Sequence, residues 1–495
     1  MIDYSSFIQE KETIHNKNNK IKPRILAIST SRNRPSFVRY CALQMKHQTV
    51  SIDHAIFLNT HKLEETRNFI SLLTDIEPNH NLFLAWGEST APHHNHCIAM
   101  YLAPSLADYD VVLKVDDDDV YRSDYAEKVL EDFDKHKWGF SGTLSEGLLL
   151  DDMWISSKKF KSPGVNKPMQ NLDVKEMMPG SIALDKEQVK NVMNLDIAFN
   201  EKVFEDVLWK IYFNASKNVK ICMRAKSSFA YHIHKKNYSP AKTDEQKPNL
   251  KLGIEKQFGI YKEIKTIGGT LNKKPRVLAF TTSSVRPSYL RKCVMEMVGQ
   301  SIPVDHAIYV NHAQSDDFNF NYSDLIKDFE KETDSTIYYG YGDDLGHHNN
   351  HLAALALAPL SQYDLFLKID DDDVYRGNYA ESVLKEFDAM PFDFSGCVSD
   401  GVIISTEWFE NVKLKENHES GNRQVSFSYA FSKKGIEGLS NIHVNHQKNY
   451  HKEWLDYFLK HESEFNVMER KESNTSFVVH GQNQDWNITL CKTSD

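Results

Sequence analysis

The chain has 495 residues, 40% of them hydrophobic and 26% charged, with a formal net charge of -10. This length accommodates two or three domains with cores of their own, and the acidic balance argues against nucleic acid as a general partner, because phosphate binding relies on a basic footprint. No stretch approaches the ~18–20 apolar residues of a membrane span, and the polar N-terminus lacks the apolar core of a secretory signal.

Residues 1–21 read as a polar leader. A short apolar strand, RILAIST, follows, then a loop carrying Arg34-Pro35 and a helix with Val38, Cys41, Leu43 and Met45 on its apolar face. The run HAIFLN is a second strand, and an Ala/Leu-rich helix comes after a variable region. Next is YDVVLKV, a continuous apolar run of the kind expected for a strand buried on both faces. Four aspartates, Asp116 to Asp119, stand directly at its carboxyl end.

The whole arrangement then occurs again. LKVDDDDVYRSDYAEKVLEDFD (113–134) returns as LKIDDDDVYRGNYAESVLKEFD (367–388), with 16 of 22 positions identical. SRNRPSFVRYC (31–41) returns as SSVRPSYLRKC (283–293), DHAIFLN (53–59) as DHAIYVN (305–311), and HHNH (93–96) as HHNN (347–350). The offset is 252 residues early and 254 later. That period is far longer than those of solenoids or propellers, about 20–50 residues, so it marks a duplicated domain. The expected organisation is a leader (1–21), a first domain (22–240), a charged linker (241–273) and a second domain (274–495). Strands alternating with helices imply, in each domain, an α/β fold with a mostly parallel sheet flanked by helices. Six cysteines without CxxC spacing, two of them at the equivalent positions Cys41 and Cys293, read as buried thiols and fit a reducing cytosol.

Four adjacent carboxylates repel one another, and nothing structural recovers that cost unless a cation is bound. Hard oxygen ligands favour Mg²⁺ or Mn²⁺. Alternate side chains beyond a strand point to opposite sides, so Asp116 and Asp118 can face one site while Asp117 and Asp119 face elsewhere or cap the next helix. The position also suits a ligand, since open α/β sheets bind ligands outside the carboxyl ends of their strands.

The order apolar strand, T-x-x-N-R-P, helix, H-H-N, apolar strand, D-D-D-D-x-Y resembles the GT-A glycosyltransferases, especially inverting family 2-like bacterial enzymes that build surface glycans. The resemblance covers most of both units. It departs from the family where Ser-Val-Arg-Pro replaces Arg-Asn-Arg-Pro in the second copy, and where His-His-Asn stands for Ala-Arg-Asn. It implies two tandem GT-A-like domains, a nucleotide-diphospho-sugar donor, and a divalent cation (Mn²⁺ or Mg²⁺) held by Asp116 and Asp118 and, in the second copy, by Asp370 and Asp372. His232 and His480, aligned at an offset of 248, are the implied third ligands.

Donor contacts are implied for Thr30, Arg34, Asn59, Asn95 and Asp117, and for Thr282, Arg286, Asn311, Asn349 and Asp371. Acceptor contacts are implied for Glu146 and Asp400. In inverting members of that family the base that takes the acceptor's proton lies in a Glu-Asp pair at a helix start, which the resemblance places at Glu205-Asp206 here. Aligning the second copy by apolar spacing at an offset of 247 puts Glu453 opposite Asp206.

The implied partners are the sugar nucleotide and a glycan or lipid-linked glycan acceptor of a capsule or lipopolysaccharide type, with one linkage per domain or one domain reduced to binding. A cytoplasmic location follows, and basic clusters such as Lys158-Lys159-Phe160-Lys161 leave peripheral attachment to an anionic membrane face open. Three other readings stand beside it. A nucleotidyltransferase would normally show a Gly-rich phosphate loop after the first strand, which STSRNRPS lacks. A metal-dependent hydrolase using His93, His94 and His96 suffers because His96 aligns with Asn350. A glycan-binding scaffold descended from a transferase is the non-enzymatic alternative.

Overall fold

In a computed structural model the chain divides into two compact units, Met1–His234 and Lys235–Asp495. The structure describes residues 10–15, 21–32, 34–59, 72–87, 92–150, 153–156, 177–195, 205–216, 218–224 and 228–233 of the first. Of the second it describes 265–267, 276–284, 286–311, 326, 329, 335–342, 344, 346–397, 401–404, 407–410, 412–415, 428–442, 450–470, 476–480 and 489–492.

The first unit runs β1 (Glu10–His15), β2 (Ile25–Ser31), α1 (Pro35–Lys46), β3 (Ile52–Asn59), β4 (Asn81–Gly87), α2 (Pro92–Tyr101), β5 (Val111–Lys114), β6 (Val120–Tyr121), α3 (Tyr125–His136), β7 (Phe140–Thr143), β8 (Gly147–Leu150), β9 (Met153–Ser156), β10 (Ala183–Asp185), α4 (Lys186–Met193), α5 (Glu205–Ala215), β11 (Ile221–Arg224) and β12 (Phe229–Ile233). The main sheet has the order β1-β4-β3-β2-β5-β10-β7-β11. β4, β3, β2 and β5 are parallel, whereas β10 is antiparallel to both β5 and β7. A small sheet, β6-β12-β8-β9, stands beside it.

The second unit repeats this plan. It runs β13 (Lys265–Ile267), β14 (Val277–Ser283), α6 (Pro287–Val298), β15 (Val304–Val310), β16 (Ile337–Tyr341), α7 (His347–Leu355), β17 (Leu365–Asp370), β18 (Val374–Tyr375), α8 (Tyr379–Ala389), β19 (Phe394–Cys397), β20 (Gly401–Ile404), β21 (Glu407–Glu410), β22 (Val412–Lys415), β23 (Ser428–Ser432), α9 (Lys433–Ser440), α10 (Tyr450–Lys460), β24 (Val467–Glu469), β25 (Ser476–His480) and β26 (Thr489–Lys492). Its main sheet has the order β13-β16-β15-β14-β17-β23-β19-β24 and its small sheet β18-β25-β20-β21. Each unit is thus an α/β domain whose parallel-rich main sheet is flanked by helices.

Alternation along β2 explains the layering. Leu26 and Ile28 enter one core cluster with Trp209 and Phe213, while Ile25 and Ala27 enter another with Cys41 and Trp138. Successive side chains point to opposite faces, so both faces are covered by helices, as a parallel sheet requires. Val277 and Ala279 are likewise separated from Leu278 and Phe280.

Two boundaries differ from the sequence reading. Glu10–His15 of the leader pairs antiparallel with β4, and Lys265–Ile267 of the linker pairs in the same way with β16. Lys11, Thr13 and His15 of β1 are exposed. The sheet edge holds both strands through backbone hydrogen bonds, a contribution that hydrophobic patterning does not report.

Gly435 lies in the first turn of α9, where its N–H donates to the Ser432 cap. A Cβ there would run into the Asp393 backbone carbonyl. Gly435→Ala should therefore destabilise the second unit by about 1–3 kcal/mol, the usual range for overpacking. Denaturant unfolding of the full chain measures this, and an unchanged midpoint would contradict it.

Candidate active site

The site is built at the carboxyl end of β5, and α1 supplies its first clamp. Pro35 occupies the first helical turn, where its fixed φ and missing N–H cost nothing, and Arg34 is the N-cap residue without a side-chain capping bond. Its guanidinium is thereby left to turn toward the acid cluster. It donates to Asp118 Oδ2 at 2.8 Å and also pairs with Asp117. Ser31, the last residue of β2, donates to Asp117 Oδ2 at 2.5 Å. Burial pushes the Asp117 carboxyl up, and Arg34 and Ser31 oppose that push.

Asp117 and Asp119 are buried, while Asp116 and Asp118 are half-buried. The alternation expected from the sequence is therefore present. Asp117 does not cap the next helix, because Arg34 holds it. Gln44 fixes the loop from behind, donating to the Asp119 carbonyl at 2.8 Å and accepting from the Tyr121 N–H at 2.6 Å. The Tyr121 hydroxyl accepts from the Asp116 N–H and donates to the Gly180 carbonyl, each at 2.8 Å. A Cβ on Gly180 would run into Asp119 Oδ2 and the Tyr121 hydroxyl, so a larger residue there has to displace side chains of the cluster.

A second cation, not assigned from the sequence, sits beneath. Lys114, the last residue of β5, pairs with Asp116 and lies 3.2 Å from Glu205 Oε1, the first residue of α5. The lysine side chain is 1% exposed. Desolvation lowers its proton affinity, but Asp116 and Glu205 overcome this and raise it, so the ammonium stays charged. Burial alone would raise the Glu205 carboxyl, yet Lys114 and His96 bring it down to about 2. Glu205 is thus held ionised as a partner of Lys114 and is a weak proton acceptor. Asp206, next along the helix, pairs instead with Lys210 at 3.3 Å.

His96, Asp116 and Glu205 offer ligand-type atoms within 4.8 Å of one another. Lys114 already bridges two of the three, so the ammonium is the cation of that trio. Asp118 adds carboxylate oxygens outside that trio. Five carboxylates (Asp116 to Asp119 and Glu205) face two cationic side chains, Arg34 and Lys114, and Asp116 and Asp118 keep exposed surface. This donor set of hard oxygens suits Mg²⁺ or Mn²⁺.

The second unit reproduces the clamp. Arg286 donates to Asp372 Oδ2 at 2.7 Å and pairs with Asp371, Ser283 donates to Asp371 Oδ2 at 2.6 Å, and Lys368 pairs with Asp370. Lys292 donates to the Asp373 carbonyl at 3.2 Å, the role Gln44 plays in the first unit.

Three alignments made from the sequence are corrected. Trp209 donates to His93 Nδ1 at 3.0 Å and Trp454 to His348 Nδ1 at 2.8 Å. Phe213 stacks on Phe140 and Phe458 on Phe394, with centroids 4.4 and 4.5 Å apart. Helices α5 and α10 therefore correspond at an offset of 245, so Asp206 is matched by His451 and Glu205 by Tyr450. Glu453 takes the place of Leu208. Two residues along a helix are a rotation of about 200°, which carries Glu453 to a different face. The His-His-Asn segments also slip by one, because His96 and His351 each bond to the carbonyl four residues earlier, that of Pro92 and of His347. His96 thus corresponds to His351 and Asn95 to Asn350, not to Asn349. Finally, β12 and β25 pair with their neighbours at an offset of 247, which sets His480 opposite Ile233 rather than His232.

Other expected residues fall as follows. Thr30 and Thr282 are half-buried at strand ends, and Asn59 closes β3. Asn311 follows β15 and donates to Asp344 Oδ1 at 3.4 Å. Asn95 and Asn349 lie in the first turn of α2 and α7. Glu146 pairs with Arg122 at the edge of the small sheet. Asn33, Asp400 and the side chains of His232 and His480 lie outside the described residues.

No protein-family model matches this chain, and no curated protein does. Among solved structures, the 1–349 segment of S. aureus TarS in complex with UDP is 13% identical, over 42% of this chain and 60% of that one, with a TM-score of 0.33. The mannosyltransferase PcManGT from Pyrobaculum calidifontis in complex with GDP-Man and Mn²⁺ is 11% identical, over 44% and 59%, with a TM-score of 0.34. A CMP:2-keto-3-deoxy-manno-octonic acid synthetase complexed with CTP is 8% identical, over 41% and 91%, at 0.28. Among the described residues no helix is long and apolar enough to cross a membrane.

Lys114→Met leaves Asp116 and Glu205 without their shared ammonium. Breaking a buried pair costs about 3–5 kcal/mol, and partial exposure of Asp116 puts the expected loss near ~3 kcal/mol. Because the Glu205 carboxyl is depressed from 4.5 to about 2, its share of that difference is present above 4.5 and fades as pH falls toward 2. Urea unfolding of both proteins between pH 7 and pH 3 tests this, and a difference that grows with acid would contradict it.

Proposed function

We propose that the chain is a metal-dependent glycosyltransferase, moving a sugar from a nucleotide-diphospho-sugar donor to a hydroxyl of a glycan or lipid-linked glycan. The observation that carries this reading is the first unit's division of labour at one strand end. Arg34 and Ser31 fix an acid cluster with two part-exposed carboxylates, and Lys114 ties that cluster to a helix presenting Asp206.

Asp116 and Asp118 are the residues that would hold the divalent ion. When bound, such an ion supplies Lewis-acid neutralisation of charge on the departing nucleoside diphosphate. The rest is the work of this chain. Arg34 and Lys114 keep the cluster from flying apart by self-repulsion. Asp206 accepts the acceptor hydroxyl's proton as its oxygen bonds to the anomeric carbon and the carbon–phosphate-oxygen bond breaks. Lys210 orients that carboxylate, and Glu205, bound to Lys114, fixes the helix start from which it projects. Glu146, held by Arg122, is the proposed acceptor contact. The third-ligand role for His232, the donor roles of Thr30, Asn59 and Asn95, and a cytoplasmic site of action at a membrane face belong to the same proposal.

A panel of nucleotide sugars should reveal nucleoside diphosphate release that stops in excess chelator and returns with Mn²⁺ or Mg²⁺. Asp118→Ala should abolish it. Asp206→Asn keeps the size and hydrogen bonding of the side chain but cannot take a proton at neutral pH. General-base contributions are worth roughly 10²–10⁴, so turnover should fall at least a hundredfold while donor binding persists. Release that is indifferent to chelator and to both substitutions would refute the proposal.

A further inference from the structure

Deepening that reading, and resting on it, we infer that the transfer step belongs to the first unit alone, and that the second unit is a ligand-holding copy whose proton-accepting helix face has been rebuilt from aromatic residues.

The two units differ by a set of replacements at positions matched by shared contacts. Both units keep the donor side: the arginine fork on the second and third aspartates, the hydroxyl on the second, and the strand-end lysine on the first. The helix facing it does not match. At the 245 offset fixed by the two Trp–His bonds, Glu205, Asp206 and Lys210 become Tyr450, His451 and Leu455. All three charged groups of that face are gone, and with them both of its ion pairs.

The strand-end lysine shows the consequence. Lys114 bridges Asp116 and Glu205, whereas Lys368 pairs with Asp370 and lies 5.7 Å from the centroid of the Tyr450 ring. A phenol ring can receive a cation over its face but cannot take a proton from an alcohol at neutral pH. His451 is engaged elsewhere. Its ring lies 3.9 Å from that of Tyr450 and 5.6 Å from that of Tyr429, within a cluster that includes Trp454. Burial also holds its imidazole well below the usual value, which weakens it as a base. On the outer side, exposed His347 lies flat on Tyr450, with centroids 5.6 Å apart and planes inclined by 18°. The position that offers a carboxylate in one unit offers a stacked aromatic pair in the other. Among the described residues of α10, Glu453 is the first-turn carboxylate, and its register sets it about 200° around the helix from His451, the position matched to Asp206.

The test uses the full chain with three variants, Asp206→Asn, His451→Phe and the double substitution, all assayed for nucleoside diphosphate release. Mn²⁺ uptake is counted by electron paramagnetic resonance, and folding is checked by circular dichroism. We expect Asp206→Asn to lose at least a hundredfold with wild-type Mn²⁺ uptake, so that the loss is not one of binding. His451→Phe should stay within about twofold of wild type, and the double variant should match Asp206→Asn. Residual turnover of a tenth or more in Asp206→Asn that His451→Phe removes would overturn the inference while leaving the transferase reading intact. Unchanged turnover in Asp206→Asn would instead refute the base assignment, and the inference with it. Should His451→Phe fail to fold, His451→Gln, which retains a polar side chain, carries the same comparison.

Discussion

Carboxylates crowded at the end of a strand repel one another, and the chain answers with buried cations placed at fixed depths. The deeper of the two that hold the first unit's cluster is Lys114. Its ammonium, drawn from an otherwise apolar strand, joins Asp116 on β5 to Glu205 on α5. A charge so fully removed from water persists only with partners on both sides, so strand end and helix start must come together for either to be stable. Arg34 does the same from α1 for Asp117 and Asp118. Three elements far apart in sequence are thereby drawn to one point, and two half-exposed carboxylates are left facing outward.

Much of this was legible in the sequence. Continuous apolar runs such as VVLK announce strands buried on both faces, and duplication of the Asp run at the same strand end announces a site. Arg-Pro at a helix start places a guanidinium just where a free N-cap side chain can turn back on the cluster. Lys114 was visible as well, a lone lysine repeated in both copies within an apolar run, but periodicity assigns no partner to it. Its partner Glu205 lies 91 positions away, and only the folded sheet brings them together.

What was illegible has a common cause. Helices α5 and α10 are apolar on most of their turns, so their patterns align nearly as well at an offset of 247 as at 245. The deciding contacts, an indole N–H to a buried imidazole and a phenylalanine stack, are made with other elements. The same holds for the histidine helices, where the identical letters His-His-Asn suggested a register that the carbonyl bonds of His96 and His351 do not keep. Edge strands β1 and β13 carry almost no apolar signal because backbone pairing holds them. With the registers corrected, the two units are less alike than their sequences suggest: equal on the side that holds charge, different on the side that would move a proton.

Where a divalent ion lodges distinguishes the acid cluster from the His96 trio as the metal site. Crystals of the full chain soaked with Mn²⁺ and a nucleoside diphosphate, with data collected at the manganese edge, decide this directly. An anomalous peak in contact with Asp116 or Asp118, with the Lys114 ammonium still between Asp116 and Glu205, is the predicted result. A peak seated among His96, Asp116 and Glu205 with Lys114 expelled, or no peak at the acid cluster at all, would contradict it.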